Sequence, residues 1–131
     1  MESRETIWLL QSRKSMRVFE NRPVSETVKQ EILSASVRAA SAGNMALYTI
    51  IDVTDEELKR KLSVTCDDQP FIAKAPLVLI YCADYRRWYR TFEEVVDEVR
   101  HPSWGDFMLA ATDAVIAAQT AATAADAHGL G

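Results

Sequence analysis

The sequence predicts a mixed helix-and-strand domain on three observations. Two runs of strand length, 47–53 and 77–83, are dense in β-branched, aromatic and continuously apolar residues. Around them, apolar residues recur at helical spacing. The last part of the chain is an alanine-rich run, apolar around most of a helical circumference. The expected order is α, α, β, α, β, α, α. Two strands are thin cover for so hydrophobic a final helix, so the expectation is that further strands lie outside this chain or come from a partner.

The elements follow in order. "ETIWLLQSR", 5–13, reads as a short helix with Ile7, Trp8 and Leu10 partly buried. Ser25 is a good N-cap for a second helix, Glu26 suits its positive start, and Val28, Ile32, Ala35 and Ala39 give it one apolar face. "SAGN", 41–44, stops that helix, because Gly43 and Asn44 tolerate left-handed backbone angles. "LYTIIDV", 47–53, is the first strand. Thr54 and Glu57 form a capping box for a third helix, with Leu58 and Leu62 as an i,i+4 apolar pair. "DDQPFIAKAP" reads as a turn with one turn of helix, closed before Pro76. "LVLIYCA", 77–83, reads as a central strand covered on both faces. A polar helix with an aromatic stripe is expected over 84–100, broken by "HPSWGD". Ser103 then caps a buried last helix from about residue 104 to 127. His128 suits its C-terminus and Gly129 its left-handed cap.

At 131 residues the chain has the size of one domain, and 1–131 is read as one. Its 48% hydrophobic and 26% charged residues are ordinary for a globular protein. A net charge of -4, with no basic stripe, argues against a nucleic-acid partner. Glu2, Arg4 and Glu5 interrupt any leader-like apolar run, and Asp113 and Asp126 interrupt the alanine-rich tail, so the expectation is a cytoplasmic protein with no membrane span. Cys66 and Cys82 form no CxxC and are read as reduced thiols. His101 and His128 have no partners at metal-ligand spacing, and neither a Walker-type glycine loop nor a nucleophile motif is present.

Against that acidic background, "SRKSMRVFENRP", 12–23, concentrates Arg13, Lys14, Ser15 and Arg17 in five residues. A phosphate needs donors of these kinds: a planar guanidinium fork, a point charge, a hydroxyl and backbone N–H groups. Cations at the end of a helix also stabilise its dipole. The residues alone leave both readings open.

Four features in order resemble the N-terminal portion of the FMN-dependent nitroreductase family. They are Arg13-x-Ser15-x-Arg17-x-Phe19, the loop Ser41-x-Gly43-Asn44, Ala75-Pro76 with an apolar strand ending in Asp84, and a core helix closing with Gly129-Leu130-Gly131. The resemblance implies an α+β fold with a central sheet flanked by helices. It implies an intertwined homodimer holding two FMN molecules at its interface. It further implies ping-pong transfer from NADH or NADPH to a small-molecule acceptor such as a nitroaromatic or quinone. By position, Arg13, Lys14, Ser15 and Arg17 would hold the FMN phosphate and ribityl end. Ser41, Gly43 and Asn44 would approach the flavin from the other subunit, and Gln69 would lie near its ring or ribityl. In the family the loop often reads Pro-Ser-x-x-Asn-x-Gln-Pro-Trp. Here Ala40, Ala46 and Leu47 stand at the first Pro, the Gln and the second Pro. Family members continue past the Gly-Leu-Gly, so the domain is expected to be incomplete at its C-terminus.

The resemblance also puts Tyr85, Trp88, Tyr89, Phe92 and Trp104 on the substrate side, with Trp88 and Trp104 as flat surfaces for an acceptor. Trp88 and Phe92 are equally an i,i+4 pair that packs on the core. Three functions are therefore weighed: a flavin reductase, a flavin-binding or interaction protein without turnover, and a structural module whose basic turn only caps a helix.

Overall fold

The computed structural model describes residues 3–131. Six helices, α1 (Ser3–Ser12), α2 (Glu26–Ser36), α3 (Glu56–Thr65), α4 (Pro70–Lys74), α5 (Arg86–Glu93) and α6 (Trp104–Ala127), surround two strands, β1 (Tyr48–Asp52) and β2 (Leu79–Ala83). A 3-10 turn at Ala42–Asn44 precedes β1. The order follows the expectation except that the single turn of helix expected within 67–76 forms a separate short helix, α4, between α3 and β2.

The strands pair antiparallel, from Tyr48 opposite Ala83 to Asp52 opposite Leu79. Side chains alternate across β1: Tyr48 and Ile50 point inward, Thr49 and Ile51 outward. The inner face meets α6, where Ala114 and Ala117 lie against Tyr48, Ile50 and Tyr81. Alanines on the helix leave room for the two tyrosine rings. On its other flank α6 packs along α2. There the buried Ser36 hydroxyl donates to Ala117 O at 3.0 Å and lies 3.0 Å from the Tyr81 hydroxyl. One polar group thereby ties α2, α6 and β2 together.

Both ends of α6 form as the sequence suggests. The Asp106 carboxylate accepts the Ser103 N–H at 2.7 Å. At the far end Gly129 takes φ +72°, Gly129 N–H donates to Asp126 O and Leu130 N–H to Ala125 O, both at 3.0 Å. This pair of bonds is a Schellman closure. His128 Nε2 lies 2.9 Å from Glu31 Oε2, joining this end to α2. The Ser25 hydroxyl caps α2 by accepting Val28 N–H at 3.3 Å. Cys66 and Cys82 are free thiols.

Several expectations fail for identifiable reasons. The cap of α3 is Asp55, whose carboxylate accepts Leu58 N–H at 2.7 Å, in place of Thr54. The buried residues of α3 are Lys59 and Ser63, while Leu58 is exposed. The Lys59 ammonium turns inward because it donates to Ala75 O, at the close of α4, at 3.2 Å. The helix expected over 84–100 spans only Arg86–Glu93. Continuing it would put Glu93, Glu94, Asp97 and Glu98 at its negative end. With β1 as its one strand neighbour, β2 is half-buried throughout most of its length and is not enclosed on both faces. Ile7, Trp8 and Leu10 of α1 are exposed, Trp8 by 68%.

The last helix differs most from expectation. Its buried side is narrow, made of Ala110, Asp113, Ala114, Ala117 and Ala121. Trp104, Phe107, Met108, Leu109, Val115 and Ile116 face outward. At 24 residues α6 is long and apolar enough to cross a membrane by length and composition. Its alanine edge is nevertheless packed on α2 and the sheet.

Candidate functional site

The basic segment leaves α1 without serving as its cap. Arg13 N–H donates to Leu9 O at 3.1 Å and the Ser12 hydroxyl to the same oxygen at 3.2 Å. Among the described residues no side chain of Arg13, Lys14 or Arg17 bonds a carbonyl of α1; the one side-chain hydrogen bond from these cations runs from Arg13 to Ser15. Arg13, Lys14, Ser15 and Arg17 follow in exposed, irregular backbone. The Arg13 guanidinium reaches Ser15 Oγ at 3.5 Å, so two of the candidate donors already stand side by side. The Arg17 guanidinium lies 5.8 Å from the centre of the Phe71 ring, and Phe19 packs on the same ring at 6.2 Å. Among the described residues none of these three cations forms an ion pair with a carboxylate. Gly131 comes so close to Met16 that a Cβ there would collide with the Met16 side chain. The segment is thus held from two sides, by α4 and by the end of the chain after α6.

Gln69 directly precedes Phe71's helix and donates from Nε2 to Cys66 O at 2.8 Å. The Arg17–Phe71 contact brings the basic segment to α4. Asp67 and Asp68, just before Gln69, take φ of +65° and +50°. The turn entering α4 is therefore strained at two consecutive non-glycine residues.

The second predicted group, Ser41, Gly43 and Asn44, lies on a separate loop. Gly43, Asn44 and Ala46 take φ of +56°, +57° and +47°, the left-handed region, within four residues. Gly43 and Asn44 tolerate this backbone, but for Ala46 it costs about 1–2 kcal/mol. Bonds from three directions hold it. Inside the loop, the Ser41 hydroxyl accepts Ala46 N–H at 3.1 Å. From α5, the Arg87 guanidinium donates to the carbonyls of Met45 (3.1 Å) and Ala46 (2.8 Å), and the Trp88 indole N–H to Met45 O at 2.8 Å. From α6, Asp113 accepts Ala42 N–H on Oδ1 at 2.9 Å and Leu47 N–H on Oδ2 at 3.2 Å.

The turn between β2 and α5 aims Arg87 and Trp88 at this loop. Asp84 accepts Arg86 N–H at 3.1 Å and the Thr49 hydroxyl at 2.8 Å. The Thr49 bond first, and then Arg86, hold the Asp84 carboxyl below its ordinary range. Beside the loop, Ser41 and Ala42 on one side and Gly105, Met108, Thr112 and Ile116 of α6 on the other line a shallow concavity of about 520 Å³.

The two predicted groups are not joined within this chain. Among the described residues no hydrogen bond links Arg13–Arg17 to Ser41–Asn44. Trp88 spends its indole N–H on the loop and packs on Phe92 at 5.9 Å. Trp104 is 78% exposed, with Phe107 at 5.1 Å. Sequence reasoning missed Arg87 and Asp113. Asp113 left a signal: it is a lone acid in the middle of an apolar helical run.

The described fold and its two polar segments place the molecule in a known family. The nitroreductase family model matches residues 10–131, and the chain belongs to that family. It is similar to a Bacillus subtilis FMN reductase [NAD(P)H], 35% identical over 97% of this chain and 52% of the relative. It is also similar to the Vibrio harveyi NADPH-flavin oxidoreductase, 28% identical over 96% of this chain and 51% of that protein. Among solved structures, B. megaterium NfrA2 superposes with a TM-score of 0.90 at 34% identity, over 95% of this chain and 51% of that one. The chain spans about half the length of the curated relatives it matches.

Proposed function

We propose that this chain contributes the phosphate-holding segment and one flavin-facing loop of an NAD(P)H-dependent FMN oxidoreductase, cytoplasmic and working as a homodimer. The observation that carries the reading is the donor set Arg13, Lys14, Ser15 and Arg17: exposed, free of carboxylate partners and making no hydrogen bond to the carbonyls of α1 among the described residues. Its chemistry fits a phosphate. Arg13 and Arg17 offer guanidinium forks, Lys14 a point charge and Ser15 a hydroxyl already beside Arg13. Relatives named as FMN reductases support the same cofactor.

The flavin, when bound, carries an electron pair from NADH or NADPH to an acceptor such as a nitroaromatic or quinone, in a ping-pong sequence. The residues of this chain bind and orient. Arg13, Lys14, Ser15 and Arg17 hold the phosphate and ribityl end, and Gln69, beside Arg17's partner helix α4, lies toward the ribityl or ring. Ser41, Gly43 and Asn44 face a flavin held mainly by the second subunit, which accounts for their having no contact with Arg13–Arg17 in one chain. Trp104 presents a flat exposed ring to an acceptor, while Trp88 serves it indirectly by holding the loop.

The test is flavin binding by Arg13→Ala/Arg17→Ala. Each charge-assisted hydrogen bond contributes roughly 1.5–3 kcal/mol, so the double variant is expected to lose at least about a hundredfold in FMN affinity. Both side chains are exposed, so thermal stability should barely move. Unchanged FMN affinity in a folded double variant sinks the phosphate reading. Tight FMN binding by the wild type without oxidation of NAD(P)H by a quinone favours a binding protein without turnover.

A further inference from the structure

Asp113 is the one buried carboxylate described, 2% exposed in the middle of α6. Its neighbours on the buried side of the helix are alanines, and no cation pairs with it among the described residues. A buried charge without a counter-ion persists only where hydrogen bonds replace water. Both of its oxygens are used that way, one by Ala42 N–H and one by Leu47 N–H. These two amides bracket the three left-handed residues, Gly43, Asn44 and Ala46. The strained turn is therefore pinned at both ends by a single side chain from a rigid 24-residue helix.

The chemistry requires a carboxylate. An asparagine of the same size offers one acceptor and one NH2 group, so the second amide N–H would meet a donor. On the outer side, Arg87 and Trp88 occupy the carbonyls of Met45 and Ala46. Backbone N–H groups of the loop are thus taken by α6 and its carbonyls by α5, so the backbone that carries Ser41 and Asn44 is held in one conformation.

We propose that Asp113 is a positioning residue that holds the Ser41–Leu47 loop in its left-handed conformation and thereby sets how Ser41, Gly43 and Asn44 meet a bound flavin. The second half of this statement rests on the FMN reading above.

The experiment compares wild type, Asp113→Asn and Ser36→Ala. Ser36 is a buried tie between α2, α6 and β2 whose hydroxyl makes no hydrogen bond to Ser41–Leu47, so it controls for general loosening of the core. Amide hydrogen exchange is read at Ala42 and Leu47, and FMN affinity by fluorescence titration. Asp113→Asn should raise exchange at one or both amides and weaken FMN by about tenfold or more. Ser36→Ala should lower thermal stability while leaving both readouts near wild type. Unchanged exchange at both amides in folded Asp113→Asn overturns the anchor. Loss of FMN affinity that follows thermal stability equally in the two variants overturns the positioning role. A wild type that binds no FMN overturns the flavin reading and Asp113's part in it, while the exchange pattern alone still decides whether Asp113 holds the loop.

Discussion

Ala46 and Gly129 occupy the same region of backbone space, at φ +47° and +72°, yet opposite substitutions there have unequal consequences. A Cβ on Gly129 would meet nothing within 4 Å, so Gly129→Ala is opposed by backbone conformation alone. The expected loss is about 1 kcal/mol, read as a lower midpoint in urea. Ala46→Gly relieves about 1–2 kcal/mol of strain but gives up about 0.5–1 kcal/mol through unfolded-chain entropy. It also removes a methyl that packs on the core of Tyr48, Ala114 and Ala117, worth up to about 0.8 kcal/mol. These contributions nearly cancel, so Ala46→Gly should fall within about 0.5 kcal/mol of wild type. A gain or loss well beyond that would mean that the loop bonds, not the local backbone, set the energy. The two sites also differ in legibility. Gly129 can be read from "HGLG" because glycine after a helix is a local signal. Ala46 cannot, because alanine has no preference for positive φ. The same holds for the candidate site: Arg13, Lys14, Ser15 and Arg17 announce themselves by local charge. Asp113 acts on amides 71 and 66 positions away, a separation that one sequence does not reveal.

Among the elements, the start of α6 carries the clearest pH dependence. Asp106 accepts from Arg100 Nη1 at 2.7 Å, from Ser103 N–H at 2.7 Å and from the Tyr89 hydroxyl at 3.3 Å. One carboxylate therefore gathers α5, the irregular segment after it and the first turn of α6. Arg100 first, then the Ser103 backbone, hold this carboxyl well below the ordinary range. A lowered folded value means the contribution is complete above the unfolded value of about 3.9 and is lost as pH falls below it. Asp106→Asn should therefore lower the melting temperature by a constant amount near neutrality, with the gap to wild type narrowing below about pH 4. A gap unchanged down to about pH 2 would show that ionisation of Asp106 is not the source. Ser103 as a cap was legible, since a serine before a periodic apolar run is a start signal. The Arg100 contact was not, because the helix expected over 84–100 would have carried Arg100 as its last residue. The acidic run Glu93, Glu94, Asp97 and Glu98 was the available warning.

At the scale of the whole molecule, the apolar circumference of α6 predicts a buried helix, and among the described residues only the alanine side of the helix is covered. Trp104, Met108 and Val115, the last exposed by 68%, remain in water, as do Ile7, Trp8 and Leu10 of α1. Single exposed apolar side chains are ordinary, but this many on neighbouring elements mark an interaction surface. The homodimer proposed above would supply a second copy to cover it, and on that proposal the Ser41–Asn44 loop of one chain would lie toward the Arg13–Arg17 segment of the other. Val115→Glu separates this from an accidental apolar face. In a single chain the side chain is already in solvent, so folding should survive and the circular dichroism spectrum should match wild type. In a dimer that buries the position, an unpaired carboxylate costs at least a few kcal/mol, which weakens association by about a hundredfold or more. Sedimentation velocity should then show a wild-type dimer and a Val115→Glu monomer at the same micromolar concentration. FMN affinity should fall with dimerisation if both subunits are needed for the site. A Val115→Glu protein that remains as dimeric as wild type would place this face outside the interface and leave the loop without its partner segment.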